Sequence, residues 1–480
     1  MAVLLGITVL LFDWYAVAAV LGTVAFAFFV RNPVIGVYLT TVLLLVIGGA
    51  SGIIGTLVPG MPIPVTLAKV SGAVTLAAWA LHTLVRREPI RINVSLALLL
   101  AFFAWTALGL ALRESWQQQI PEWLRLGNVV AFFVVSVHLL NTRERIHTYV
   151  TLVCYCGLAM AAMANIQYFV PALHFGPEQF AELGERAREG AFVDPEQLDT
   201  GPAVRVTGTA GHSNWLAMGL LVILPLNLYW FRYARTNTGK ALAVVATILE
   251  LSALVFTFTR TGFIAGMAAI ALIIVTRQMK INPYRLSALA VAALIAFFLL
   301  PAQYRERVFD PASYDRSSSI SHRFQLQQSA WQTWTENPVL GAGLGGFGME
   351  LVEQDYEVSM ISQWFVAAQG WNPIHFGAHN MYLHLLAEAG IVGLFLLMAF
   401  LFYTIRGIRR VEHRLHAEGD DQGAALCAAL FVSLMTFLVC CFVLHALHQK
   451  IWWMLAAAAT VIIMYGLPKT ADHGRPAPKA

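Results

Sequence analysis

The chain has 480 residues, 58% hydrophobic and 12% charged, with a mean hydropathy of +0.66. A soluble domain of that composition would expose large apolar patches, so the sequence reads as a polytopic α-helical membrane protein. The formal net charge is only +4, and most basic residues fall in short loops between apolar runs, which sets a nucleic-acid partner aside.

About 20 apolar residues cross a bilayer core. Residues 2–30 offer one long span or a short hairpin broken at Asp13-Trp14, with no basic segment leading to a small-residue cleavage site, so this stretch is expected to be retained. Further spans are predicted at about 33–49, 65–85, 92–112, 123–140, 147–170, 214–231, 241–259, 262–276, 284–300, 381–405, 424–445 and 451–467, roughly 12 to 14 in all. The fold class is therefore all-α, a transmembrane helix bundle. It divides into N-terminal spans (1–170), a loop (171–213), central spans (214–300), a large polar loop (301–380), C-terminal spans (381–467) and a Pro- and Lys-containing tail (468–480). Cys154, Cys156, Cys427, Cys440 and Cys441 all lie in apolar runs and read as small hydrophobes, without a disulfide framework or metal cluster.

Orientation follows from charge. Arg86, Arg87 and Arg91, then Arg143 and Arg145, then Arg232, Arg235 and Lys240, then Arg277, Lys280 and Arg285, and finally Arg406, Arg409, Arg410 and Arg414 fall on one side when the spans alternate. The positive-inside rule makes that side cytoplasmic and puts both long loops outside.

Alternation brings four ionisable residues to the outer face. Arg260, in Thr259-Arg260-Thr261-Gly262, shares that face with Arg205, Arg323 and His379. Guanidinium offers a charged planar fork suited to phosphate, and a histidine at a membrane boundary can take a proton from an attacking hydroxyl. Each arginine alone reads equally well as a side chain reaching a headgroup or pairing with a local acid. Arg260 is favoured for function because no acid lies between Glu250 and the loop beyond residue 300.

Within the large loop, apolar positions from Ser321 to Thr335 recur at helical spacing, after a serine-rich cap and before Asn337-Pro338. Arg323 then sits near a helix N-terminus, which favours an anion. Trp331, Trp334 and Phe347 are candidates for stacking on sugars or for packing the loop down. The glycine run 341–348 lacks the strand-before, helix-after context of a nucleotide loop and reads as tight turns or close backbone approach to a glycan. His375, His379 and His384 have spacings near those of a helical zinc pair, but Pro373 and Gly377 interrupt the helix. His445 and His448, near Lys450, Trp452 and Trp453, read as an interfacial belt.

Taken in order, Val204-Arg205-Val206-Thr207-Gly208-Thr209 with His212-Ser213-Asn214, Thr259-Arg260-Thr261-Gly262, Ser321-His322-Arg323 with Asn337-Pro338-Val339-Leu340-Gly341, and His379-Asn380-Met381-Tyr382-Leu383 with Glu388-Ala389-Gly390 resemble the O-antigen ligase and Wzy-type polymerase superfamily. The resemblance covers about residues 200–400. It implies a multi-pass inner-membrane glycosyltransferase, metal-independent and without a cofactor. Such an enzyme moves a glycan from undecaprenyl pyrophosphate to lipid A-core in ligases, or to a lipid-linked glycan in polymerases, on the periplasmic side. It also implies His379 as the base and Arg205, Arg260 and Arg323 as pyrophosphate or glycan contacts, with Asn380 and Tyr382 orienting His379 or the glycan. Thr259 stands where serine is commoner in the family. Ligase is the favoured assignment, with polymerase the alternative. An anion or small-solute transporter is the further alternative, although no internal repeat of the carrier type is visible.

Overall fold

The computed structural model describes residues 26–47, 66–170, 205–276, 305, 318–354 and 377–467. Among these residues the structure is helical, with no strand. The elements are α1 (Pro33–Val42, continued by a π turn Leu43–Ile47), α2 (Leu67–Arg86), α3 (Val94–Ala111), α4 (Trp116–Leu139), α5 (Arg143–Phe169), α6 (Ser213–Tyr233), α7 (Asn237–Phe256), α8 (Arg260–Val275), α9 (Ser318–Glu336), α10 (Gly346–Gln354), α11 (Met381–Ala417), α12 (Asp421–Cys440) and α13 (Lys450–Tyr465). Eight of them, α2 to α7, α11 and α12, are long and apolar enough to cross a membrane, and α1 with its π turn, α8 and α13 are shorter apolar helices. The expected spans at 284–300 and over most of 2–30 lie outside the described residues, as does most of the loop 171–213.

The helices begin where the sequence offers a polar cap. Thr66, Asn93, Thr142, Thr236, Thr259, Asn380 and Asp420 each accept a hydrogen bond from an amide of the following first turn. The core is a continuous cluster running through α3 to α7 and α11 to α13, and α13 is buried from Ile451 to Ile462. Trp452 and Trp453 are buried and donate from their indoles to Ala446 and Leu447 carbonyls, so they are core residues and not the interfacial belt expected from sequence. All five cysteines are buried and unbridged.

Four of the basic clusters gather at one end of the bundle. Arg143 on α5 holds Asp420, ahead of α12, with two bonds of 2.5 and 2.8 Å. Arg91 lies 5.2 Å from the Tyr465 ring, Tyr38 donates to Arg145 O, and Tyr233 donates to Asp421 O. At the same end, His416 lies 3.7 Å from Asp421. The charge pattern of the loops therefore has a direct counterpart in which helix ends meet.

The longest helix is broken where it is most deeply packed. Within α11, Gly390 has φ 66 and ψ −173, which interrupts the helical hydrogen-bond ladder. Carbonyls freed in an apolar setting must find other donors. Here the turn after α9 supplies them: Ala342 N–H donates to Ala387 O and Gly343 N–H to Glu388 O, both at 2.8 Å. Trp105 Nε1 donates to Ala389 O at 2.9 Å, while Ile391 N–H, beyond the break, donates to Pro338 O. Gly345 N–H reaches the buried Glu388 carboxylate at 2.7 Å, and His384 Nε2 lies 3.3 Å from its other oxygen. From the α3–α4 turn Arg113 grips the Gly341 carbonyl and Asn337, and from α4 Gln119 donates to Ala342 O. The glycine run is thus a tight turn whose close backbone approach is to α11.

Gly341 shows how little room is left. Its φ is +70, and a Cβ there would lie 2.3 Å from the Glu388 carbonyl carbon. Gly419 has a similar φ of +74 but nothing within 4 Å. Gly341→Ala is expected to destabilise by about 2–4 kcal/mol, combining left-handed strain with overpacking, and Gly419→Ala by only about 1 kcal/mol. Thermal unfolding of the detergent-solubilised variants measures the difference, and equal losses would mean that the turn does not seal α11.

Candidate functional site

The opposite end of the bundle gathers the start of α6, the α7–α8 turn, the start of α11 and the α12–α13 turn. Residues 205–211 run as an extended and turned segment against them. Val206 N–H donates to Phe256 O, and the Thr207 and Gly208 amides donate to Gln167 Oε1 near the end of α5. Arg205 donates from Nε to Thr257 O at 3.2 Å and from Nη2 to Asn214 Oδ1 at 3.3 Å, so the protein fixes one side of the guanidinium. Thr257 lies three residues before Arg260, the first residue of α8. Between them Phe258 takes a left-handed φ of 50, a conformation that non-glycine residues seldom adopt.

His212 caps α6. Its Nδ1 accepts from Asn214 N–H at 3.1 Å, which leaves the proton of the neutral ring on Nε2. Burial, followed by the positive fields of Arg205, His445 and Arg323, drives its pKa down to about 3. Arg205, Arg323 and His445, from three separate parts of the chain, are therefore near enough for their charges to act on it.

His379 sits immediately before the cap of α11 with φ 48, a second left-handed non-glycine residue. Its ring meets His445 edge to face at 5.4 Å, and His445 in turn lies 5.5 Å from His384. Arg323, one turn into α9, is carried to the same region. Leu326 and Ala330 of that helix pack with Phe347, Leu351, Ala378 and Ala387, and Ala378 precedes His379. Behind His445, Glu122 of α4 accepts Arg125 at 3.2 Å and lies 3.1 Å from His448 Nε2.

Arg205, Arg323 and His379 are thus neighbours of one histidine cluster, and Arg260 begins the helix beside the Arg205 anchor. Asn380 and Tyr382 are engaged by the protein. Asn380 Oδ1 accepts the Tyr382 and Leu383 amides, and the Tyr382 hydroxyl donates to Leu438 O at 2.8 Å. Both secure the helix start that carries His379. In the sequence His212 and Glu388 stand only as members of motifs with no role of their own, Glu122 carries no signal, and His445 and His448 read as an interfacial belt; the structure places all five in and behind this cluster. Of the loop aromatics, Phe347 is buried, whereas Trp331 is 51% exposed and edge-packed by Trp334.

Residues 241–398 match the family model described as O-antigen ligase. Over that segment the chain is similar to this family. The matched segment, about a third of the chain, contains Arg260, Arg323, His379 and the sealed break at Gly390, while Arg205, His212 and His445 lie outside it. No curated protein matches the chain.

Between pH 6.5 and about 3 the unfolded chain binds a proton that folded His212 refuses, so this residue lowers stability as the pH falls through that window. His212→Asn retains a capping side chain and removes the titration. On going from pH 7 to pH 4.5, the thermal midpoint of the variant is expected to fall less than that of the parent protein. An equal fall in both would show that His212 protonates as readily when folded.

Proposed function

We propose that the protein is an O-antigen ligase that transfers a glycan from undecaprenyl pyrophosphate to lipid A-core at the outer face of the inner membrane. The observation that carries this reading is the meeting of His379 with His445 beside Arg205, Arg323 and His212, at the bundle end opposite the basic loops. An acceptor hydroxyl attacks the anomeric carbon of the donor glycan. The bond from that carbon to the pyrophosphate oxygen breaks, and the leaving group takes the bonding pair. His379 receives the hydroxyl proton. Arg205, Arg260 and Arg323 hold the pyrophosphate and balance its charge as it departs, with Arg323 aided by the amide end of α9. The neutral His212 offers an Nε2 proton to the same anion without adding a charge of its own.

Positioning matters as much as charge in this scheme, since an activated leaving group needs mainly orientation and a base. Asn380 and Tyr382 act here by anchoring the start of α11, and through it His379. Ligase activity is favoured over polymerase activity because the matching domain is of the ligase family. The glycolipid profile of a deletion strain tests this directly. A ligase predicts complete loss of capped lipid A-core with lipid-linked polymer retained, whereas cores capped with single repeats would indicate a polymerase.

His379→Ala is expected to lower transfer by about 100-fold or more while leaving binding of the polyprenyl pyrophosphate donor largely intact. Arg260→Lys and Arg323→Lys are expected to accumulate normally and transfer poorly, because lysine keeps the charge and loses the planar fork. Reconstituted transfer assays check both, and a His379→Ala variant working at the parent rate across neutral pH would remove the base from the scheme.

The sidedness has its own test. In a cysteine-free background, Arg260→Cys and Arg323→Cys should react with an impermeant maleimide from the periplasm, and Arg87→Cys, Arg235→Cys and Arg410→Cys only after permeabilisation. Labelling of position 260 solely from the cytoplasm would separate Arg260 from His379 and break the proposed site.

A further inference from the structure

We infer that His445 is a positioning residue for the transfer reaction, a buttress that fixes the direction of the His379 imidazole; this rests on the reading of His379 as the base. Nothing in the matched segment 241–398 includes His445, which comes from the turn between α12 and α13.

The geometry is that of a wedge. A Cβ at Gly377 would fall 2.4 Å from the His445 ring, so the ring lies directly against the backbone two residues before His379. On its other sides are His379, edge to face at 5.4 Å, and His384 at 5.5 Å. His384 is itself held 3.3 Å from Glu388, whose other oxygen accepts the Gly345 amide. His445 therefore connects the sealed break in α11 to the left-handed residue at its start. A left-handed φ at a non-glycine residue costs about 1–3 kcal/mol and persists only where the surroundings fix it. Gly377, Asn380 and the His445 ring supply that constraint around His379.

Charge favours a spacer over a second base. His445 is faced by His379 and His384 from α11, by His212 ahead of α6, by Arg323 from α9, and by Glu122 and Arg125 from α4. Burial and the positive field of Arg125 outweigh the attraction of Glu122 and hold its pKa down at about 4. At neutral pH it is an uncharged aromatic surface. When His379 takes the acceptor proton, an imidazolium forms against that ring, and contact with an aromatic ring is one way to accommodate a cation.

Three variants and one double variant test the assignment in the full-length protein reconstituted in lipid. His445→Ala is expected to lower kcat about 10-fold, leave donor KM within about 3-fold, and move the acidic limb of the kcat–pH profile, since the environment of His379 changes. His445→Phe keeps a flat ring without nitrogen and is expected to recover kcat to within about 3-fold of the parent. His379→Ala with His445→Ala is expected to be no slower than His379→Ala alone, because His445 acts only through His379. A His445→Ala variant with parent kcat and an unmoved acidic limb overturns the inference. So does a His445→Phe variant that folds but is as slow as His445→Ala, which would make the ring nitrogen essential, or an additive loss in the double variant. A fast His379→Ala variant overturns the base assignment itself, whereas a slow one beside an unaffected His445→Ala overturns only the buttress.

Discussion

A transmembrane-length helix that breaks in the middle needs partners for its loosened carbonyls, and the organisation of this protein follows from how α11 meets that need. Water cannot serve in an apolar interior, where an unsatisfied amide or carbonyl costs several kcal/mol. The break at Gly390 is instead closed by the backbone amides of Ala342 and Gly343 and by the Trp105 indole, while the Gly345 amide holds the Glu388 carboxylate. Those amides belong to the turn between α9 and α10, so closing the break also docks the polar segment that carries Arg323. Arg113 and Gln119 add the α3–α4 corner to the same joint. One local irregularity thereby ties three stretches of the chain together close to the residues given chemical roles.

The candidate site combines permanent charge with histidines that stay neutral. Arginines keep their charge at any accessible pH, whereas His212 and His445 are held neutral down to about pH 3 and 4 by burial and by the cations around them. The separation matters for binding a pyrophosphate. Additional imidazolium charge would crowd the arginines in the absence of donor, whereas neutral rings contribute donors and shape. The opposite end of the bundle follows another rule: Arg143 and Asp420 pair directly, and the Asp420 carboxyl is held below its ordinary pKa mainly by the hydrogen bonds from Arg143.

The sequence disclosed the helices well, because apolar runs of the required length bounded by Thr, Asn or Asp caps leave few alternatives. Helix α9 was foreseen at Ser321–Thr335 and extends over Ser318–Glu336. Arginines at apolar boundaries were also visible, since charge there is conspicuous. What remained hidden was pairing across distance. His445 lies within contact of residues 377–384 only because α12 returns the chain to the start of α11, and no local pattern records that return. Its neighbours Trp452 and Trp453 resemble an interfacial belt in sequence, yet their indoles close hydrogen bonds inside the core. Glu388 stands in a motif that gives no hint of its role, because its partners Gly345 and His384 identify it only in three dimensions. The glycine run posed a similar problem: sequence announced a close approach, and packing decided that α11 was what approached.

The broken helix also limits how this domain can be recombined. The sealing turn (337–346) and the break (387–391) lie about forty residues apart, yet they fit each other at the level of single backbone atoms, with Val339 O only 2.0 Å from where a Gly390 Cβ would stand. A chimera with a relative that crosses over between them would join a turn from one parent to a break from the other and leave the carbonyls poorly matched. Exchanges made on either side of the pair keep the joint whole. The natural unit of inheritance here is therefore the span from Asn337 to Ile391, which carries His379 with it between the two coupled ends.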